Sequence, residues 1–266
     1  MSRGNNREDR WIDIREFEIE KMHPHSKITI NAKPGIGKSV MINEILKFMR
    51  HKFPMGMYVG GTSDSNSDIE GIFPKIFIHT EWDTKVHRKY INRQKLNKRT
   101  MGNGNYSNSV IVIDDMTENR NVLKDKPVIG YFKNGRQWDN LLILALQNSG
   151  DLPKEIRHMV DYIFIGRETS KERRDAMYEC FIPSTISRAD FDDLMEQITP
   201  NHTWLVVNNR TSSNDIEDII FWYRVGPENF DERGDPIYNF KFGCDEFWNW
   251  DRARYDPNWE EREEDY

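Results

Sequence analysis

The feature that most constrains the fold is the run Lys27 to Met49, KITINAKPGIGKSVMINEILKFM. Alternating apolar residues (Ile28, Ile30) break into a Gly/Pro loop, which opens onto a helical pattern of Val40, Met41, Ile45, Leu46, Phe48 and Met49. The spacing predicts strand, loop, helix. Within it, AKPGIGKS from Ala32 to Ser39 sets a small residue, four others, then Gly-Lys-Ser, the spacing of a phosphate-binding loop. A triphosphate is readily held by a row of backbone N–H groups at a helix N-terminus, where the positive end of the helix dipole also lies. Gly35 and Gly37 let the main chain wrap phosphates where a Cβ would clash. The nucleotide-binding candidates are Ala32, Lys33, Pro34, Gly35, Ile36, Gly37, Lys38, Ser39 and Val40. Lys38 would reach the β- and γ-phosphates and the Ser39 hydroxyl would ligate Mg²⁺. Ala32 stands where such loops usually carry glycine, a replacement alanine can make while its φ stays negative. The bland alternative is a plain Gly-rich turn, and the flanking strand and helix argue against it.

At 266 residues the chain can bury one large core, alone or with appendages. Its 37% hydrophobic and 31% charged content is that of a soluble protein. No apolar run approaches the roughly 20 residues of a membrane span, and the start MSRGNNREDR lacks a signal-peptide core, so a cytosolic origin is expected. Cys180 and Cys244 stand far apart without other soft ligands, which fits free thiols better than a disulfide or zinc site. The net charge of −6 argues against a uniformly basic nucleic-acid binder, but it is unevenly spread. Asp245 to Tyr266 holds nine acids against three arginines, leaving residues 1 to 244 neutral, while Lys85 to Arg99 holds seven Lys/Arg and no acid.

Residues 1 to 10 are polar and expected to be disordered. In the following WIDIREFEIEKMHPHS, alternation of Trp11, Ile12, Ile14, Phe17 and Ile19 with charges predicts an edge strand, and His23 and His25 around a proline read as a turn, not a metal site. MYVGG (57–61) predicts a second buried strand, TSDSNSD a loop, and Ile76 to Ile78 a short apolar run. Asp83 to Leu96 predicts a helix with Val86, Tyr90 and Ile91 on one side and the basic residues on the other. Thr100 to Ser109 reads as a flexible connection. SVIVIDD (109–115), NLLILALQ (140–147) and DYIFIG (161–166) predict three more central strands, separated by short helices that start at Pro127 and Pro153. Lys171 to Phe181 and Arg188 to Ile198 read as helices, the second with a Ser187-x-x-Asp190 cap. Thr203 to Val207 and Asp218 to Val225 read as paired strands. Strands apolar on both faces, alternating with helices, predict an α/β fold with a mostly parallel central sheet, helices on both faces and added C-terminal strands. One domain over residues 11 to 250 is expected, followed by an acidic, aromatic-containing tail at 251 to 266.

In open parallel sheets, ligands bind outside the carboxyl ends of the strands. Asp114 ends SVIVID, in the place of an acid that holds Mg²⁺, and Asp115 is placed to orient or deprotonate an attacking water. Gln147 ends the next strand; if that strand lies between those ending at Ala32 and Asp114, its amide faces the γ-phosphate. Arg136, in NGRQ, precedes that strand and so lies at its remote end. There it is badly placed for its own site but available to a neighbour's as an arginine finger in trans, with Arg157 the competing candidate. Two polar residues closing a strand, a surface amide and salt-bridged arginines are the bland readings of the same positions.

Taken in order, NAKPGIGKS, IFPKIFIHTEWDTKVHRKYINRQ, VIVIDDM, FKNGRQWDNLLILALQNSGDLPKEIRHMVDYIF, LVVNN, DIIFWYRV and FGCDEFW resemble the genome-packaging ATPases of nucleocytoplasmic large DNA viruses and virophages, within the FtsK/HerA superfamily of DNA pumps. The resemblance spans roughly residues 11 to 250, and NGRQ with LALQ and LPKEIR separates this family from other phosphate-loop ATPases. It implies a P-loop NTPase fold of the RecA-like (ASCE) type that binds ATP and Mg²⁺. It implies that Lys38 and Ser39 bind nucleotide and metal, Asp114 and Asp115 form the acidic pair, Gln147 is the sensor and Arg136 the finger. It further implies a homo-oligomeric ring, expected to be hexameric, that threads double-stranded DNA into a capsid from the cytoplasm of an infected cell. Gln137 stands where the family usually has histidine after the glycine-arginine pair.

A pump must hold DNA phosphates through contacts weak enough to break, which suits lysine and arginine. Lys85, Arg88, Lys89, Arg93, Lys95, Lys98 and Arg99 are the DNA-binding candidates, with Thr100 to Ser109 as a pore loop; the competing reading is a solvated helix face. Trp248 and Trp250 are expected to pack on the body, and the last residues either dock a neighbouring subunit or capsid protein or stay disordered. Two rival functions remain open: another FtsK/HerA-type DNA pump, and a nucleotide-gated assembly module with little turnover.

Overall fold

Long runs of β-branched residues and leucine are stable as strands only where both faces are covered. In the computed structural model, which describes residues 14–60, 69–101, 105–116, 121–234 and 236–249, those runs lie side by side in one sheet. Its strands are β1 (Lys27–Asn31), β2 (Met55–Gly60), β3 (Ile78–His79), β4 (Ser109–Asp114), β5 (Asn140–Leu146), β6 (Tyr162–Ile165), β7 (Thr203–Asn208) and β8 (Ile220–Arg224). The order across the sheet is β3-β2-β4-β5-β1-β6-β7-β8. Every ladder from β3 to β6 is parallel, while β7 and β8 are antiparallel additions. All residues of β1, β2, β4, β5 and β6 are buried.

The helices are α1 (Lys38–Met49), α2 (Thr84–Met101), α3 (Lys126–Asn134), α4 (Lys154–Arg157), α5 (Lys171–Phe181), α6 (Arg188–Ile198), α7 (Ile216–Ile219) and α8 (Asp245–Trp248). Their starts follow capping chemistry. The Asp125 carboxylate accepts the Lys126 N–H at 2.8 Å, with proline in the first turn of α3, and the Ser187 hydroxyl accepts the Asp190 N–H at 3.1 Å.

The structure departs from the sequence reading in several places. In the described part of the predicted edge strand, residues 14–26, there is a single bridge, Glu16 to Trp222, followed by a 3₁₀ turn at Ile19–Lys21. Beside that bridge Phe17 turns inward onto Tyr162, Phe164 and Phe221, at centroid separations of 5.5 to 5.7 Å. The strand expected from Asp218 starts at Ile220, since Asp215, Glu217 and Asp218 favour the N-terminus of a helical turn. The run at Ile76 to Ile78 is a 3₁₀ turn leading into the short edge strand β3. Helix α2 outlasts its predicted end and runs into the stretch expected to be flexible, where a 3₁₀ turn at Asn105–Ser107 also forms. Its last turn is held by the Lys98–Asp139 ion pair at 2.6 Å and the Thr100 hydroxyl donating to the Leu96 carbonyl. Trp248 packs against the core and donates to the Phe242 carbonyl at 2.8 Å. The expectations for residues 1–10, Trp11, Ile12, the 62–68 loop, Trp250 and the acidic tail lie outside the described residues.

Candidate functional site

Three adjacent strands, β4, β5 and β1, end at one level. The register sets Asp114 beside Ala145 and Asn31 beside Leu146, and the Ala32 N–H donates to the Leu146 carbonyl at 3.2 Å. Asp115, Gln147 and the loop from Ala32 therefore leave the sheet together, with the Gln147 strand in the middle. Gln147 donates from Nε2 to Asp115 Oδ2. Lys38, the first residue of α1, folds back across the loop and donates from Nζ to the Ala32 carbonyl at 3.1 Å.

Gly37 precedes α1 with φ 98°, a left-handed conformation that glycine adopts without a Cβ penalty. Ala32 has no positive φ and is fully buried, which makes alanine admissible there. Size matters as much as conformation. A Cβ on Gly166, after β6, would lie 2.8 Å from the Ala32 Cβ and 2.8 Å from Ile36 Cγ2, so β6 and the loop touch through small residues.

Electrostatics tie the site together. Asp114 is 3% exposed and accepts from the Tyr58 hydroxyl at 2.8 Å. Burial pushes its carboxyl above the usual range; the Tyr58 bond and Lys38 oppose the shift, and Asp115 adds to it. Burial pulls the Lys38 ammonium down, against the attraction of Asp115 and then Asp114. Asp115 sits at φ 48°, a left-handed conformation that costs a non-glycine residue energy but that aspartate tolerates better than most. That turn carries its carboxylate to Gln147.

The donor set fits a magnesium nucleotide. Loop amides and Lys38 would hold phosphate oxygens, and the Ser39 hydroxyl and Asp114 carboxylate are hard oxygen ligands of the kind Mg²⁺ takes alongside phosphates. The Asp115–Gln147 pair is a polar edge able to orient water.

Other candidates lie elsewhere. Arg136, in the 3₁₀ turn Gly135–Trp138, is at the amino end of β5, roughly 20 Å from Gln147 for seven residues at about 3.3 Å each. Its guanidinium pairs with Asp161, the residue before β6. Arg157 is committed to its own connection, donating to the Leu152 carbonyl at 2.8 Å and the Gly150 carbonyl at 3.1 Å. On α2, His87, Tyr90, Ile91 and Gln94 face the core, whereas Lys85, Lys89, Arg93 and Arg99 are exposed. Lys98 is paired with Asp139, and Lys95 lies 5.6 Å from the Trp138 ring centroid. The basic run is thus a mixed face, partly spent on structure. His25 bonds Asn108 at 2.8 Å in a turn. Among the described residues, no group of three or more His, Cys, Asp or Glu side chains could hold a metal by itself.

Two features escaped the sequence reading: Tyr58, whose hydroxyl supports Asp114, and the grouping of Lys27, Arg136 and Arg210 around Asp161. The first had a signal, a lone tyrosine in the apolar strand MYVGG. The second had none, because its members lie far apart in the chain.

No protein-family model matches the chain. Protein 075L of Invertebrate iridescent virus 6 is 34% identical over 256 residues, covering 92% of this chain and 96% of that protein. Among solved structures, B204, the DNA-packaging ATPase from Sulfolobus turreted icosahedral virus, superposes with TM-score 0.59 at 14% identity, covering 77% of this chain and 100% of its own. The genome-packaging NTPase B204 of Sulfolobus turreted icosahedral virus 2, solved in complex with ATP-gammaS, gives 0.55 at 14% identity over 76% and 98% of the two chains. The likeness to B204 is one of fold, the α/β P-loop NTPase fold. By its identity to 075L over nearly the full length of both proteins, the chain belongs to the family of that iridescent-virus protein.

Proposed function

We propose that this chain is a viral DNA-packaging motor ATPase that couples Mg-ATP hydrolysis to translocation of double-stranded DNA into a capsid, working as a homo-oligomeric ring, a hexamer in the simplest form. The observation that carries the reading is the position of β5 between β1 and β4, which brings Gln147 to Asp115 beside Lys38 and the phosphate loop. Membership of a family of viral proteins and the fold of a genome-packaging NTPase support it.

In this reading the loop amides, Lys38 and Ser39 bind the nucleotide, while Asp115 and Gln147 orient the attacking water. Mg²⁺ would supply charge neutralisation at the phosphates, held through Ser39 and Asp114. Arg136 serves the site of a neighbouring subunit, and the exposed basic residues of α2 contribute to the DNA surface. The cytoplasm of an infected cell is the expected place of action.

The test is phosphate release by purified protein with and without double-stranded DNA. Wild type should turn over ATP, and faster with DNA. Asp115→Asn should retain nucleotide binding and lose about 10³-fold in turnover. A wild type that assembles on DNA yet hydrolyses nothing would sink the motor and leave an assembly module.

A further inference from the structure

At the amino end of the sheet, away from the phosphate loop, lies a cavity of about 510 Å³ lined by Lys27, Lys133, Arg136, His158, Asp161 and Arg210 among others. Asp161 is the one acid in that lining and is 5% exposed. Its Oδ2 accepts the Lys27 N–H at 2.8 Å and faces the Lys27 ammonium at 3.3 Å, while its Oδ1 pairs with Arg136 and, at 3.5 Å, with Arg210.

A carboxylate offers about four lone-pair sites, so this one is saturated. Three cations around one acid leave an excess of two positive charges. Each guanidinium has five N–H donors in a planar fork that matches phosphate oxygens. The Arg136 side chain is 47% exposed and that of Arg210 28%, so both stay reachable while Asp161 anchors them. Asp161 offsets one of the three positive charges, and the repulsion that remains between the two guanidiniums is relieved when a second anion enters between them.

We infer that this cavity is a phosphate site for a second copy of the chain: Asp161 preassembles Arg136 and Arg210 as a two-guanidinium clamp for the terminal phosphate of the nucleotide bound to the neighbouring subunit. Asp161 is a positioning residue, and Arg210 a second trans cation. The inference rests on the reading of Arg136 as a trans finger and adds the partner and the anchor. The clamp cannot serve its own phosphate loop, which lies the length of a strand away. A held pair suits a phosphoryl group that arrives in one place, whereas sliding DNA phosphates suit loosely held lysines.

The test is subunit mixing on assembled protein, read as phosphate release with double-stranded DNA. Arg210→Ala should lose about 10²-fold in kcat, the effect of removing one charge-stabilising donor, while binding of a fluorescent ATP analogue stays within about twofold of wild type. Adding Lys38→Ala subunits, which cannot use their own loop but keep the clamp, should restore part of the turnover. Arg136→Ala is run in parallel.

If Arg136→Ala is impaired and rescued while Arg210→Ala is fully active, the trans finger stands and the clamp is overturned. If Arg210→Ala is impaired but never rescued, it acts within its own subunit and the clamp is again overturned. If neither variant is impaired, both ideas fall. Weaker DNA binding with a shallower salt dependence and unchanged basal turnover would overturn the clamp in favour of a DNA contact. Should Arg210→Ala not fold, Arg210→Lys, which keeps the charge beside Asp161 but loses the fork, should fold as wild type and show the same rescuable loss.

Discussion

The two ends of the sheet set opposite electrostatic problems. At the carboxyl end, Asp114, Asp115 and the Gln147 amide gather around one lysine; at the amino end, Lys27, Arg136 and Arg210 gather around one aspartate. One end has acid to spare and the other has cation to spare. Under the proposed function the same ligand, a magnesium nucleotide held between subunits, answers both: its metal complements the acids and its terminal phosphate the guanidiniums. The contrast also separates two uses of a buried carboxylate. Asp114 is buried with its pKa raised, at a cost to the fold that the proposed function explains by a ligand, whereas Asp161 is satisfied within the chain and contributes to it.

The largest effect should come from breaking the amino end. Asp161→Ala strands the Lys27 ammonium, whose side chain is 9% exposed, with no acid beside it. Removing one partner of a buried pair costs about 3–5 kcal/mol; the low end applies because Arg136 and Arg210 keep access to water. Urea unfolding should show that loss, and the melting temperature should fall by roughly 10 °C. A loss below about 0.5 kcal/mol would mean that the aspartate is an ornament of the cavity and not its anchor.

At the carboxyl end the sign reverses. Because the folded protein raises the Asp114 pKa above its ordinary value of 3.8, the native state holds that proton more tightly than the unfolded chain does. Stability therefore falls as pH rises through the interval above 3.8, and the penalty is complete above the raised value. Asp114→Asn keeps an oxygen for the Tyr58 hydroxyl and carries no charge, so it should be more stable than wild type near pH 8, a gain that vanishes toward pH 4. Lys38 loses one of the two carboxylates that favour its charge, which trims the gain. Unfolding curves at pH 4, 6 and 8 decide it: equal or lower stability of Asp114→Asn at pH 8 would remove the claimed difference between the two ends.

The contrast also shows why one end was legible in the sequence and the other was not. The phosphate loop, the SVIVIDD strand and the LALQ strand end each announce themselves locally, through a glycine pattern or an apolar run that stops at a polar residue. Reading them together required only that β5 sit between β1 and β4, which the sequence could pose as a condition but not decide. Lys27 and Asp161 are 134 residues apart, and each looks like an ordinary polar flank of an apolar strand. Only parallel pairing of β1 with β6 brings them together. Helix boundaries failed for a related reason: the last turn of α2 is kept by Asp139, a tertiary partner that no local propensity encodes.

That last turn gives the smallest and most local comparison, between two lysines of one helix. Lys98 pairs with Asp139 at 2.6 Å, and Asp139 is a buried residue with φ 53° whose other oxygen accepts from Ser107 at 2.7 Å. Lys85 is exposed at the opposite end of α2. Lys98→Ala should cost about 1 kcal/mol, because it leaves a largely buried carboxylate short of its cation, whereas Lys85→Ala should stay within about 0.5 kcal/mol of wild type. DNA binding should rank them the other way. A lysine that neutralises a DNA phosphate releases about one counterion, so losing Lys85 should make the slope of log K against log salt shallower by about 1, while losing Lys98, already neutralised by Asp139, should leave it unchanged. Salt titrations of the two variants separate the halves of this helix: an unchanged slope in both makes α2 a solvated face, and a change only in Lys98→Ala puts the DNA surface on the side now assigned to structure.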